Sequence, residues 1–455
     1  MKKRQIIHTI LFSLIFVLSS CLGSDEEVLN SPYAALRYFS LDEMIRYESI
    51  KTDAGKDSLI KYIVPGEYYP FIIDQKAKRV YNPNPLPYNT DVSKVTAVAQ
   101  NDGALYVYND SIENFEYFSS SDSLDYTKPR RFMVASLDGT YKQEYTITVN
   151  VYDKEPEAIS WRKVQAPSAV MPLSMVQLSD KIYLFSKQSD GAPVVHTTTM
   201  AAGPQWSDAQ SLATLPANAL LENVVAFDGK LYVAADDALY SSTNGIEWAN
   251  VGASRNISSL LLATDNELWA LSGDSVVCST DAADFSAIQP LTDKFPVKNI
   301  SSAKYPLRTN PYITRNLLIG YPEGSKNIQP VVWGKLSGEQ GWVDYSEGGN
   351  VDFSCPSFDK MAVLYYDNRL FAFGGAAKRG DEEIAAFSNF YISSDNGLTW
   401  IADIKKAMLP SELLGSEASF AAMVDSYKYI WIVSGGENCT VWRGILNRFA
   451  YETEK

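Results

Sequence analysis

Ser393-Ser394-Asp395-Asn396-Gly397-Leu398-Thr399-Trp400 is an octet that the chain repeats in weaker form elsewhere. Its chemistry is local. Asp and Ser side chains can bond the backbone of a turn, Gly tolerates a positive φ, and Trp packs between sheets. The octet therefore staples a hairpin and does not catalyse. Ser241-Ser242-Thr243-Asn244-Gly245-Ile246-Glu247-Trp248 repeats it with Thr243 in the place of Asp395, and over residues 199–206 only Thr199, Gly203 and Trp206 survive. Aromatic anchors of this kind fall at Trp161, Trp206, Trp248, Phe285, Trp342 and Trp400, 37 to 58 residues apart.

Spacings in that range belong to the blades of a β-propeller. Five times an apolar strand ends in an Asp-led turn and restarts as an aliphatic-aromatic-aliphatic triplet. The pairs are Asp180 with Ile182-Tyr183-Leu184, Asp228 with Leu231-Tyr232-Val233 and Asp265 with Leu268-Trp269-Ala270. Asp367 with Leu370-Phe371-Ala372 and Asp425 with Ile430-Trp431-Ile432 complete the set. Each reads as a hairpin between two inner strands. A sixth unit, at residues 316–320, has the strand without the turn. Six units over residues 157–455 average about 50 residues each, near the kelch-like end of the range. The strand after each anchor is outermost, so residues 160–164 precede any inner strands of their own. They are expected to complete the last blade, beside strands near 420–424, 429–433 and 440–446, which leaves no open edge.

The amino terminus sets the address. Lys2, Lys3 and Arg4 precede an apolar run at residues 6–18, too short to span a bilayer and shaped like a secretory signal. Leu18-Ser19-Ser20-Cys21 resembles the bacterial lipobox, in which the cysteine is acylated and becomes the first residue. That resemblance implies a signal peptide at 1–20 and lipid on Cys21, with the membrane as partner through the lipid. Ser24-Asp25-Glu26-Glu27, in the tether at 21–30, is similar to the surface-export tag of Bacteroides-type lipoproteins; a solvated charged tether is the other reading. The localisation implied is the bacterial outer membrane, at the cell surface or on the periplasmic face.

Residues 31–152 carry short β-rich runs separated by turn signals, with a short helical turn expected near 41–47. The final hairpin is clearest: Phe132, Val134 and Leu137 lead into Asp138-Gly139, and an alternating strand follows at 145–151. This ending resembles the immunoglobulin-like domains that follow the lipobox in Bacteroides-type surface proteins. Asp153 to Glu157 is a charged, proline-containing boundary. The fold class is thus all-β: an Ig-like β-sandwich, then a six-bladed β-propeller closed by its first strand. The octet at 393–400 matches the Asp-box pattern S-x-D-x-G-x-T-W in full, and lipobox, sandwich and kelch-like, Asp-box blades together resemble a Bacteroides-type surface lipoprotein family of unknown function.

Composition narrows the chemistry. The 455 residues are 46% hydrophobic and 21% charged, which excludes disorder over most of the chain. Lys plus Arg number 40 against 54 Asp plus Glu, a net charge of -14 that offers no footprint for a nucleic-acid partner. Without His8, in the signal, His196 is the one imidazole, too few for copper chemistry of the galactose-oxidase kind. Sialidases share the Asp box, but their arginine triad and F-R-I-P-like segment are not found here. Cys278, Cys355 and Cys439 lack metal-like spacing; they read as small hydrophobes, with a bridged pair left open. No cofactor or metal is expected.

The hairpins and Asp boxes fall on one rim of the disc and the longer loops on the other. On that second rim residues 376–389 carry Lys378, Arg379 and Asp381, candidate binding residues because propeller ligands sit among such loops. Arg308, Tyr312 and Arg315, in an insert at 305–315 of undecided rim, could stack on a ligand and hold an anion. The leading expectation is a lipid-anchored envelope protein whose propeller presents a protein- or glycan-binding face, without catalysis. The alternatives are a carboxylate-based glycan hydrolase, marked by two inward carboxylates, and a scaffold subunit of an envelope complex.

Overall fold

Alternating apolar residues and tight turns make strands of nearly every regular segment of this chain. The structure is a computed structural model that describes residues 32–51, 56–168, 170–201, 203–324, 329–346 and 353–453. The expected signal at 1–20, Cys21, and the acidic cluster and tether to residue 30 lie outside the described residues. Among the described residues the one α-helix is Asn447–Thr453, and no helix is long and apolar enough to cross a membrane. The chain divides into two units, Met1–Pro156 and Glu157–Lys455.

In the first unit, Arg130–Ala135 and Lys142–Thr148 form the expected hairpin, with Phe132 opposite Tyr145. Phe132, Val134, Tyr145 and Ile147 are all buried, as alternation requires, whereas Leu137 is exposed beside the turn. The hairpin lies within a six-stranded sheet, where Lys142–Thr148 also pairs in parallel with Arg79–Tyr81. A two-stranded sheet, Leu36–Leu41 with Ala97–Asn101, closes on the same core by setting Phe39 edge-on to Phe132, 6.0 Å between centroids. The Tyr145 hydroxyl ties the layers together, accepting from Leu36 N (3.2 Å) and donating to Gln75 Oε1 (2.8 Å). No helical turn forms at 41–47: Leu36–Leu41 and Met44–Lys51 are strands. Pairing of Met44–Lys51 with Asp57–Val64 overrides the local preference.

The second unit holds, among its described residues, six four-stranded antiparallel sheets and one small three-stranded sheet. The six innermost strands are Met171–Leu178, Val225–Phe227, Ser259–Ala263, Lys298–Pro306, Met361–Tyr366 and Phe420–Val424. Each contacts the next, and the last contacts the first, so the sheets stand in a closed ring. The outermost strand of the sixth sheet is Ile159–Val164, paired along its whole length with Thr440–Leu446. Two further contacts fix this closure. Trp161 Nε1 donates to Met408 O (2.7 Å), and the Trp161 ring lies over Gly444, where a Cβ would come within 2.4 Å of it. Glu157 bridges Arg369 (3.2 Å) and Arg448 (3.1 Å), joining the first residues of the unit to its last helix.

The anchors Trp206, Trp248, Phe285, Trp342 and Trp400 are all buried between sheets, each contributing about 2–3 kcal/mol by burial. Asp367 (φ 53°) and Asn368 (φ 57°) are both left-handed, the backbone of a type I′ hairpin. The unit read as lacking a turn does have its hairpin: Lys298–Pro306 pairs with Thr314–Tyr321 through a longer connection that hides the short-turn signal.

Candidate functional site

Strand direction alternates across each sheet, so first-to-second and third-to-fourth connections share one rim, and the remaining connections share the other. The first rim is stapled. Asp395 accepts from Thr399 N (2.9 Å) and Thr399 Oγ1 (2.6 Å), Ser393 Oγ accepts from Gly397 N (2.8 Å), and Trp400 Nε1 donates to Gly397 O (2.9 Å). In the second octet it is Asn244, not Thr243, that does the work of Asp395. Its Oδ1 accepts from Ile246 N and Glu247 N (2.9 Å each), while Ser242 Oγ accepts from Gly245 N. This turn is one residue shorter, which shifts the alignment. Ser279-Thr280-Asp281-Ala282 is a third such turn, with Asp281 accepting from Ala283 N and Asp284 N. Ala282 stands in it where Gly is expected, and that substitution concealed the turn in the sequence.

The other rim carries an added structure. Ser357–Phe358, Ala377–Arg379 and Glu382–Ile384 form the small sheet above the fifth sheet. Beside it opens a cleft of about 660 Å³ lined by Lys298, Asn299, Tyr321, Asp359, Lys378 and Glu383, among others. Tyr321 builds one wall: its hydroxyl accepts from Phe358 N (2.9 Å) and donates to Phe358 O (3.1 Å), and burial pushes the phenol pKa up. Asn299 Nδ2 donates to Asp359 O (3.2 Å) across the floor. Gly374 lets the chain pass: a Cβ there would lie 1.9 Å from the Lys360 carbonyl oxygen.

Lys360 stands where this rim meets the axial channel, a space of about 380 Å³ between the inner strands. Its ammonium donates to Pro172 O (3.3 Å) and lies 5.2 Å from the centre of the Phe420 ring. Burial pulls its pKa down and the charge of Glu222 opposes that shift. Among the described residues lining the channel, Glu222 is the one carboxylate, accompanied by Lys304, Lys360 and Tyr365.

The sequence candidates separate. Lys378 lines the cleft and pairs with Glu383 (3.3 Å). Asp381 is exposed at the tip of the small sheet. Arg379 is turned inward, donating to Trp400 O (3.4 Å) and lying 4.9 Å from the Tyr391 ring. The 305–315 insert belongs to the stapled rim, because it joins the first and second strands of the fourth sheet. There Arg315 donates to the Tyr345 hydroxyl (3.0 Å), Arg308 is exposed, and Tyr312 is 94% exposed. Sequence reasoning missed Lys298, Asn299, Tyr321 and Lys360, whose roles arise from contacts between sheets.

His196 is buried in a third strand, its Nδ1 3.0 Å from Ser207 O. Cys278, Cys355 and Cys439 are free thiols, so no pair of them is bridged. Burial pushes the Cys439 thiol up to about 11 and that of Cys278 to about 12, which keeps both protonated near neutrality. Among the described residues no group of three or more His, Cys, Asp or Glu side chains could hold a metal ion.

Solved structures similar to this chain include a Trichoderma reesei carbohydrate-active enzyme of family AA12, at 9% identity and TM-score 0.38 over 64% of this chain and 96% of that one. A Niastella koreensis GH74 enzyme matches at 13% and 0.36 over 58% and 44%, and the Fusarium graminearum α-L-arabinofuranosidase Arb93A at 11% and 0.37 over 66% and 100%. No curated protein matches the chain. Residues 39–149 match the DUF6242 N-terminal domain, a domain of unknown function, and residues 155–454 match the DUF6242 beta propeller domain. The chain, an all-β protein with a C-terminal β-propeller, belongs to the DUF6242 family.

Proposed function

We propose that this chain is a lipid-anchored protein of the bacterial outer membrane whose propeller, six-bladed and of kelch-like and Asp-box type, binds a glycan or protein ligand in the cleft of its loop rim. The first domain, on this reading Ig-like, acts as a spacer from the membrane. One observation carries the proposal: the cleft is walled by a dedicated small sheet and lined by the paired Lys378 and Glu383, by Lys298 and by Asn299, while the axial channel offers, among the described residues, a single carboxylate, Glu222. Glycoside hydrolysis by the usual route needs two carboxylates about 5–9.5 Å apart. In the channel Glu222 lacks the second; in the cleft the two carboxylates among the described residues are Asp359 and Glu383, and Glu383 is already paired with Lys378 (3.3 Å), which favours binding over hydrolysis.

The test is a glycan array and an envelope pull-down probed with the chain and with Lys298→Ala/Lys378→Ala. Capture that the double variant loses while keeping its melting temperature supports the reading. Hydrolysis of any arrayed glycan would replace it with the hydrolase. For the anchor, Cys21→Ala is expected to move the protein from the membrane to the soluble fraction, and unchanged fractionation sinks that part. A scaffold role in an envelope complex is supported by Ile401 (63% exposed) and Ile404 (66%) at the outer edge of the fifth sheet.

A further inference from the structure

On the stapled rim, opposite the cleft, a cavity of about 420 Å³ opens between the third and fourth sheets. Asn316, on the strand Thr314–Tyr321, lines it. The residue is 1% exposed, yet its Oδ1 has no hydrogen-bond partner among the described residues. A buried amide oxygen left unpaired is costly, and native structures rarely keep one without a use. Paired with Asn316 across the sheet is Lys335, also 1% exposed. Its ammonium lies 3.5 Å from Glu267 Oε2 and 4.2 Å from the centre of the Trp269 ring. Trp269 Nε1 donates to the same Glu267 oxygen at 3.0 Å. Glu267, a cavity wall, is therefore held from behind through Oε2, which leaves Oε1 for a ligand hydroxyl.

Charge is balanced around this space. Lys304 pairs with Asp265 at 3.0 Å, as Lys335 does with Glu267, so these charges sum to zero and none is left over to select an ion. At its mouth stands Tyr312, 94% exposed, on an insert whose Asn310 Oδ1 accepts from Tyr312 N (3.1 Å). An aromatic ring held in water over a polar cavity is a stacking platform for an apolar face that also carries hydroxyls.

We infer that this cavity is a second ligand site, separate from the loop-rim cleft, and that it takes a neutral polyhydroxylated ring such as a sugar unit. Tyr312 stacks on the face of the ring. The Asn316 amide meets one hydroxyl, and Glu267 Oε1 accepts from another. With Glu267 committed to Lys335 and Trp269, and Asp265 to Lys304, the site binds and does not hydrolyse.

The experiment is calorimetric titration of the full chain, purified in detergent, with mannotetraose, cellotetraose and xylotetraose, and with tetragalacturonic acid as the charged control. The expected result is saturable binding of at least one neutral probe. Tyr312→Ala should weaken it at least tenfold, Lys378→Ala should leave it unchanged, and the acid should bind more weakly. Asn316→Leu should abolish binding with the melting temperature equal or higher, because a side chain of similar size removes an unsatisfied amide. No saturable neutral probe overturns the inference, as does binding that survives Tyr312→Ala. Binding lost in Lys378→Ala instead assigns the ligand to the cleft, which overturns this site and supports the other. Should Asn316→Leu melt lower, Asn316 is structural and Tyr312→Ala decides alone.

Discussion

The two rims of the propeller are built from the same sheets but stabilised in different ways. On the stapled rim three turns are closed by their own residues: Asp395 by Thr399, Asn244 by Glu247, Asp281 by Asp284. On the loop rim the decisive contacts join segments distant in sequence. Tyr321 bonds Phe358, and Asn299 bonds Asp359. A rim whose turns hold their own shape keeps each hairpin folded even where its contacts with the next sheet are few, such as Tyr305 with Asn396. A rim made of cross-sheet contacts holds one shared cavity and changes as a unit, which suits it to a ligand.

The strongest way to break that comparison is at Asp425, where the stapled rim carries a contact of the distant kind. Asp425 accepts from Tyr427 N (2.9 Å), Tyr429 N (2.9 Å) and Trp431 Nε1 (2.8 Å), and Arg443 lies 3.5 Å away. Both partners are buried, with side-chain exposures of 0% and 2%. Removing one charge strands the other, so Asp425→Ala is expected to cost about 3–5 kcal/mol in denaturant unfolding. A loss below about 1 kcal/mol would mean that the Arg443 contacts with Met200 O and Ala201 O suffice to hold it.

Next in size is Gly374→Ala. The added methyl meets backbone, not a flexible side chain, so the strand must shift at a cost of about 1–3 kcal/mol. Because that backbone also carries one wall of the cleft, capture by the loop rim should fall together with stability. Full stability would show that the two segments part without strain; retained capture despite lost stability would separate the cleft from the contact beneath it.

The same contrast explains what could be read from the sequence. Trp161 announced its place because a short strand before the first repeat has one free edge to join, and it pairs with Thr440–Leu446. Asp-led turns and anchors were legible because their bonds span two to four residues. Where the local pattern drifted, reading failed: Thr243 was aligned with Asp395 although Asn244 fills that role, and Ala282 hid a third turn. The 41–47 segment looked helical because its pairing with Asp57–Val64 and Thr90–Asp91 is invisible locally. Lys378 was found as a charged loop residue, but nothing in sequence pointed to Tyr321 or Lys298 as its neighbours across the cleft.

A smaller effect tests the third turn. Ala282 holds φ 62°, costly for any residue with a Cβ, and Ala282→Gly is expected to stabilise by about 1 kcal/mol. The matching position, Gly245 (φ 73°), has the opposite sensitivity, since a Cβ there would meet the Tyr183 ring at 2.6 Å. Thermal unfolding of Ala282→Gly and Gly245→Ala should therefore move in opposite directions. If both fall, the two turns are not equivalent.

The smallest expected effect is the one that separates fold from function. Lys378 and Glu383 are paired at 3.3 Å, but their side chains are 54% and 82% exposed, so solvent screens the attraction. Lys378→Ala should change stability by less than about 0.5 kcal/mol, as surface substitutions do. Its cleft position gives it a different weight in binding, where desolvation by a ligand would strengthen the same charge. Unfolding and capture measured on one preparation make the comparison direct. Stability lost with Lys378→Ala would make the small sheet a structural prop, and the loop rim would then differ from the stapled rim only in the length of its connections.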